Sequence, residues 1–356
     1  MDHLHLQLNV PLLRRRVPNL TSAAKKAGLR PATVSNLCTG KIPVGRAEVR
    51  TLAILADLAG CSLDDLLIRG SGLTRIETGI KALDLLAPIV RGGTTGIVAR
   101  PGTGQLVLLA ELFRRLRSRG MATVFLKPSE HGPGVDEASA EADIACDTLE
   151  EAARHLTEYG TRGDAVLGAD RAVALSGALR SLQTELREAG LRPLTAILID
   201  ARGEAAEEEV PYGPLDTLLK FDLELAARGL YPAIDPVASV STLAEGAQLE
   251  ATHLLAQQQA KKCLRRYREL KSVVQAQGIG RLSEAELTSY RRGERLEAYL
   301  TQPFYVAEPF TNRAGIWVPP HQALEDARAI LDGETDGMDT KHLLFIGALA
   351  NLQGRG

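Results

Sequence analysis

Aromatic residues are scarce. Among 356 residues there are six Phe, seven Tyr and one Trp, so any place where they gather carries weight. The four cysteines, Cys38, Cys61, Cys146 and Cys263, have no CxxC spacing and no paired histidines. That excludes a disulfide framework and a zinc module, and suits a reducing cytoplasm. No apolar run approaches the ~18 residues of a membrane-spanning helix. Arg14-Arg15-Arg16 is followed by no long apolar stretch, so the N-terminus does not read as a signal peptide and a cytoplasmic location is expected. There is no internal repeat, and no low-complexity tract beyond the Ala/Glu-rich stretch 201–209. With 45% hydrophobic and 24% charged residues, the chain has the composition of a globular protein of two or three domains.

The net charge of −2 conceals an asymmetry. Between Val10 and Arg50 nine Lys and Arg face one acid, Glu48. That is +8 within 41 residues, leaving about −10 for the remainder. A basic module on an acidic body points to a nucleic-acid partner, although a solvated charged face has the same composition.

Residues 1–69 read as short helices. Leu12 and Leu13 lie in the first. Thr21 is expected to cap a second, Ser22 to Ala27, stopped by Gly28. Pro31 opens a third that ends at Thr39-Gly40. Two more are expected over Ala47–Ala59 and, capped by Ser62, Leu63–Ile68. A short helix, a glycine turn and a polar helix form a helix-turn-helix arrangement. The strings Ala23-Ala24-Lys25-Lys26-Ala27-Gly28-Leu29, Pro31-Ala32-Thr33-Val34-Ser35-Asn36-Leu37 and Thr39-Gly40-Lys41 resemble the Cro/repressor family, as does the tail Leu52–Leu67. Ala24 and Ala27 allow close helix approach, and Val34 and Leu37 anchor the third helix. Arg30, Thr33, Ser35 and Asn36 are left at the open face, where hydroxyls and an amide suit base edges and phosphates. Lys41 and Arg46 would lie near phosphates. A small helical domain used for protein contacts is the alternative.

After Gly70-Ser71-Gly72 the pattern changes. Strands are expected at Thr95–Ala99, Ala122–Lys127 and Leu194–Asp200. A Pro/Gly turn at Arg100–Gly104 leads into a helix over Gln105–Ser118. A loop follows at Pro128–Asp136, with helices at 149–159 and 169–189. This alternation argues a parallel α/β sheet. From Leu243 to Leu300 the chain reads as helix broken at Gly278–Gly280, then loops and a last helix near His342–Asn351.

Three long strings carry a second resemblance: Gly79-Ile80-Lys81-Ala82-Leu83-Asp84-Leu85-Leu86-Ala87-Pro88-Ile89-Val90-Arg91-Gly92-Gly93, Arg228-Gly229-Leu230-Tyr231-Pro232-Ala233-Ile234-Asp235-Pro236, and Arg266-Tyr267-Arg268-Glu269-Leu270 continuing to Gln302-Pro303-Phe304-Tyr305-Val306-Ala307-Glu308-Pro309-Phe310-Thr311. Residues 73–350 are similar to the beta subunit of F-type ATP synthase, with the helix-turn-helix standing where that family has a barrel. The resemblance places the phosphate loop at Ala99-Arg100-Pro101-Gly102-Thr103-Gly104-Gln105-Leu106. Gln105 stands for the phosphate-neutralising lysine and Leu106 for the magnesium-binding hydroxyl. Arg100 could substitute a charge from another position. Glu130 matches the acid that positions the attacking water, with His131 beside it in place of arginine. Asp200 matches the acid that contacts magnesium through water. Thr242 falls where the family has an arginine, whose loss would remove ~10³–10⁵ of rate. Between Asp200 and Tyr231 the chain is shorter than the family, so one or more central strands are expected to be missing. Tyr231, Phe304 and Phe310 match the aromatics that sandwich adenine, and stacking needs no phosphate chemistry.

The expected fold is therefore multi-domain α and α/β. An all-α helix-turn-helix covers 1–69, a truncated P-loop (RecA-like) parallel α/β domain 73–242, and a helical C-terminal domain 243–356. The expected function is a DNA-binding transcriptional regulator whose beta-like domain is catalytically inactive and senses a nucleotide, oligomerises, or both. Double-stranded DNA is the expected partner. ATP, ADP or another purine nucleotide is the expected ligand, held around Arg100, Gly102, Thr103, Gly104, Gln105, Glu130, Asp200, Tyr231, Phe304 and Phe310, with a role for Mg²⁺ left open. A homodimer is expected, with a hexameric ring as the alternative. Two other readings stand beside this one: an active NTPase moving on nucleic acid, and a scaffold that binds no nucleotide.

Overall fold

The computed structural model describes residues 6–39, 42–69, 74–130, 132–208, 211–245 and 249–352. It is a mixed α/β structure. No described helix is long and apolar enough to cross a membrane. The chain divides into two compact units, Met1–Arg75 with Thr242–Leu254, and Ile76–Ser241 with Leu255–Gly356. The helical segment expected at 243–356 is thus shared between the two units.

In the first unit, β1 (Leu6–Leu8) and β2 (Leu67–Arg69) pair antiparallel. Between them lie α1 (Val10–Arg16), α2 (Leu20–Lys26), α3 (Pro31–Cys38), α4 (Val49–Ala59) and α5 (Leu63–Leu66). Helix α2 begins at Leu20 behind Asn19, so Thr21 lies inside the helix and is not its cap. The Asn19 carbonyl already accepts from Ser22 and Ala23 N–H, which starts the helix earlier than expected. Its end is the expected one. Gly28 takes φ +79, Gly28 N–H donates to Lys25 O and Leu29 N–H to Ala24 O. That paired pattern is a Schellman stop, which favours a residue without Cβ at the left-handed position. Helix α4 starts at Val49, not Ala47. Residues Val44–Arg46 form a 3₁₀ turn, and Ala47 and Glu48 are extended. Ser62 and Asp65 form a capping box, but α5 ends at Leu66 because Leu67–Arg69 leaves to pair with β1.

Leu13, Ala24, Val34, Leu37, Leu55 and Leu66 share one buried core with Cys38 and Ala56. Arg16 donates to Ala59 O at 3.2 Å and Gly60 O at 2.7 Å, capping the end of α4. The short helix α13 (Thr242–Glu245) also belongs to this unit.

The second unit opens with β3 (Arg75–Ile76), α6 (Lys81–Leu86) and β4 (Ile89–Val90). Its sheet has seven strands: β5 (Thr94–Val98), β6 (Ala122–Leu126), β7 (Ile144–Cys146), β8 (Ala165–Asp170), β9 (Thr195–Ile199), β10 (Thr217–Lys220) and β11 (Val240–Ser241). The order is β11-β10-β5-β9-β8-β6-β7, parallel throughout except for the β10–β11 pair. Helices α7 (Gln105–Ser118), α8 (Val135–Glu141), α9 (Leu149–Gly160), α10 (Ala172–Leu175), α11 (Ala178–Glu188) and α12 (Leu223–Ala227) connect the strands. The long helix α14 (Ala251–Gln277) precedes α15 (Glu284–Tyr299), α16 (Glu308–Thr311) and α17 (Pro320–Asp332).

Two further expectations are corrected here. Residues 169–189 are not one helix: Ala169 and Asp170 end the buried strand Ala165–Asp170, and Ser176 with left-handed Gly177 separates Ala172–Leu175 from Ala178–Glu188. A short run of Ala, Val and Leu suits a buried helix or strand equally, and only its neighbours β9 and β6 decide. The stretch between Asp200 and Tyr231, expected to lack one or more central strands, contributes one strand, β10, paired directly with β5. The last α-helix is Pro320–Asp332, with Pro at its start and Gly333 left-handed at its end. The region near His342–Asn351 holds only 3₁₀ turns.

Lys81 is fully buried. Its Nζ donates to Ile346 O at 2.8 Å and lies 4.1 Å from the Tyr299 ring centre. Burial pushes its pKa down to about 7, against the opposing pull of Asp326. The unfolded chain holds that proton to about pH 10.4. Between these values the unfolded state binds more protons, so this group's contribution to stability rises with pH. From pH 7 to 9 the rise is expected to be about 2 kcal/mol. Chemical denaturation of wild type against Lys81→Met isolates it. The difference cancels the opposing effect of thiols such as Cys263, which burial raises to about 11.

Candidate functional site

A cavity of about 1000 Å³ lies in the second unit. Four regions meet around it: the turn after β5, the loop after β6, the segment 229–233 and the segment 302–313. In an open parallel sheet the crevice outside the carboxyl ends of the strands is where ligands bind. Of the residues singled out from sequence, Gly102, Gly104, Gln105, Glu130, Tyr231, Phe304 and Phe310 line this one cavity. Arg100, Thr103 and Asp200 do not.

The turn after β5 is tight. Gly102 and Gly104 take φ +80 and +101, and Thr103 Oγ1 donates to Arg100 O at 2.6 Å. Thr103 is therefore spent on the loop itself. Arg100 points to Glu207, at 2.7 Å. Gln105 opens α7 and is buried. Its Nε2 donates to Asp200 O at 2.6 Å, and its Oε1 accepts from Asp200 N–H at 3.3 Å. The amide thus clasps the main chain at the end of β9. A lysine could donate there but could not accept, so the glutamine fits a structural clasp better than a phosphate contact.

Leu106 faces the other way. Gly134, at φ +93, lies so close that a Cβ there would come 2.9 Å from Leu106 Cβ. The leucine packs with Val135 in the main core, securing the loop that carries Glu130. Glu130 pairs with Arg202 at 2.8 Å, both largely exposed. His131 lies outside the described residues.

Asp200 is buried at the end of β9. Its carboxylate accepts from Arg202 and Ala205 N–H, and Arg171 Nε lies 3.5 Å away. Arg171 also reaches Glu204 and Glu208 at 2.8 and 2.9 Å, which fixes the loop after β9. A magnesium site does not fit these donors. Leucine offers no oxygen, and the Asp200 oxygens are already committed to N–H groups and a guanidinium.

The aromatic end is built differently. Phe304 is buried, Tyr231 is 41% exposed and Phe310 is 82% exposed, so the rings run from the cavity floor to its mouth. Phe345 and Arg313 join them, with the Arg313 guanidinium 4.3 Å over the Phe345 ring.

Two residues that the sequence reading missed hold the two ends in register. Glu111 and Arg115 form a fully buried ion pair at 2.6 Å. Glu111 accepts from Tyr305 and Val306 N–H at 3.1 and 3.0 Å. Arg115 donates to Gly79 O and Ile316 O at 3.0 and 2.9 Å. Helix α7, which leaves the β5 turn, is thereby bonded to the segment bearing Phe304. The signal was present: Leu108, Glu111, Leu112, Arg115 and Leu116 form a single i, i+3, i+4, i+7, i+8 stripe. An acid and a base set within an apolar stripe are expected to be buried together.

In the first unit, Arg30, Ser35 and Arg46 are exposed, and Thr33 and Asn36 are half-buried. Among the described residues the Asn36 side-chain amide makes no hydrogen bond, while its carbonyl accepts from Ile42 N–H at 3.1 Å. Lys41 lies outside the described residues. Lys25, Lys26 and Arg50 are also exposed. Arg16 is committed to the α4 cap. Compared with known protein families, the chain matches no family model.

Proposed function

We propose that this protein is a DNA-binding transcriptional regulator whose α/β unit binds a purine nucleotide without hydrolysing it. The observation that carries the nucleotide half is the convergence of Gly102, Gly104, Tyr231, Phe304 and Phe310, distant in sequence, on one cavity. Glycine N–H groups at a helix start suit an oxygen-rich group, and aromatic faces suit a purine. In this reading the fold of the second unit is a P-loop domain of the ATP-synthase-beta kind with its catalytic parts replaced. Gln105 is a clasp, Leu106 is packing and Asp200 is a loop anchor. ATPase activity is therefore expected to stay at background with Mg²⁺ present, measured as phosphate release by purified protein. Robust turnover abolished by Glu130→Gln would overturn the reading.

The DNA half rests on α2, the Gly28 stop and α3 as a helix-turn-helix of the Cro/repressor kind. Helix α3 buries Val34 and Leu37, and the remaining polar positions stay available to a base edge or phosphate. A bound nucleotide shifts an equilibrium only if it prefers one conformation. Two-fold operators are the rule for this kind of domain, so a dimer is the expected form on DNA.

The test is DNA binding by purified protein to fragments around its own gene, with and without ATP or ADP. Specific binding altered by nucleotide supports the whole reading. Specific binding indifferent to ATP and ADP leaves the α/β unit as an oligomerisation scaffold or a receptor for another ligand. Absence of specific binding removes the regulator.

A further inference from the structure

We infer that the cavity selects an uncharged purine nucleoside, held by its flat ring, over the corresponding di- or triphosphate. This rests on the purine-pocket reading, keeps its aromatic recognition of the ring and departs from it in disfavouring the phosphates. A polyphosphate needs counter-charge, because burying several anionic oxygens without partners is costly. Among the described residues, the end of the cavity beside the β5 turn has little to offer. Gln105 is neutral, and both ends of its amide are bonded to the Asp200 main chain. Leu106 and Val107 present hydrocarbon. Arg100 is paired with Glu207 and does not line the cavity.

The charges that do line it have the wrong sign. Glu130 and Glu137 both line the cavity. Arg202 offsets Glu130 at 2.8 Å, which leaves Glu137 to repel a phosphate. Among the described lining residues the basic side chain is Arg313. It sits three positions after Phe310, stacked on Phe345 at the aromatic end. A cation there favours the electron-rich face of a purine and does nothing for a phosphate chain at the opposite end. The N–H groups that begin α7 remain as donors, and a ribose hydroxyl can accept from them.

The experiment is calorimetric titration of the full chain with adenosine, AMP, ADP and ATP, at fixed ionic strength, with EDTA and again with Mg²⁺. Affinity is expected to fall along that series, with adenosine at least about tenfold tighter than ATP. Glu137→Gln, an exposed change that spares the fold, is expected to raise ATP affinity about threefold and leave adenosine unchanged. ATP binding as tightly as adenosine, or a Glu137→Gln variant with an unchanged ratio, would overturn the inference while the purine pocket stands. Failure of all four compounds to bind would remove the purine pocket itself.

Discussion

Replacing Arg115 with methionine is expected to destabilise the α/β unit by about 3–5 kcal/mol, the range for breaking a buried ion pair from one side. Arg115 and Glu111 are 1% and 0% exposed. Methionine fills much of the same volume but leaves the Glu111 carboxylate without its cation. It also strips donors from Gly79 O and Ile316 O. Urea denaturation followed by far-UV circular dichroism measures the loss. The paired variant Glu111→Gln with Arg115→Met removes the stranded charge, so it is expected to recover much of the deficit. A single variant within about 1 kcal/mol of wild type would show that the pair is not buried as described. The same substitution reaches the cavity. Glu111 fixes Tyr305 and Val306 N–H, so loosening it frees the segment that presents Phe304 and weakens any ring-stacking ligand.

The second large effect concerns DNA. Arg30→Ala, Asn36→Ala and Arg46→Ala together are expected to weaken specific binding by about 10²–10³-fold. An amide bonded bidentately to adenine accounts for about 1–3 kcal/mol of discrimination, and the two arginines supply phosphate charge. Removing two phosphate contacts also flattens the salt dependence by about 1.8 log units of affinity per log unit of salt. None of the three is buried, and none belongs to the core of Leu13, Val34, Leu37 and Leu55. The fold is expected to survive, and an unchanged melting curve checks that. Unchanged affinity and salt slope in fluorescence anisotropy would refute the helix-turn-helix assignment.

Gln105 and Leu106 both stabilise the turn after β5. Both ends of the Gln105 amide are occupied by the strand beside it. Leu106 is half-buried, lines the cavity with hydrocarbon and packs against Gly134. Both contacts hold the start of α7 against its neighbours.

Local and periodic features were legible in the chain itself. The Gly28 stop, the Pro31 start, the Ser62 cap, the Gly102–Gly104 turn and the helix over Gln105–Ser118 each depend on residues within a few positions of one another, and their physics is local. So is the burial of Val34 and Leu37, which one helical turn places on a common face. The gathering of Tyr231, Phe304 and Phe310 was anticipated from resemblance, not from spacing, since no local rule connects residues 73 positions apart in sequence. Tertiary structure alone decided the rest. Ala165–Asp170 becomes a strand because β6 and β9 flank it with paired backbones. Leu67–Arg69 leaves its helix because β1 offers a partner. Asp200 turns to Arg171 and its own loop, and Glu111 to Arg115 and Tyr305 N–H. A carboxylate has no direction in a sequence. Which donor it meets depends on where the folded backbone puts N–H groups and guanidinium ions, and burial makes that choice binding.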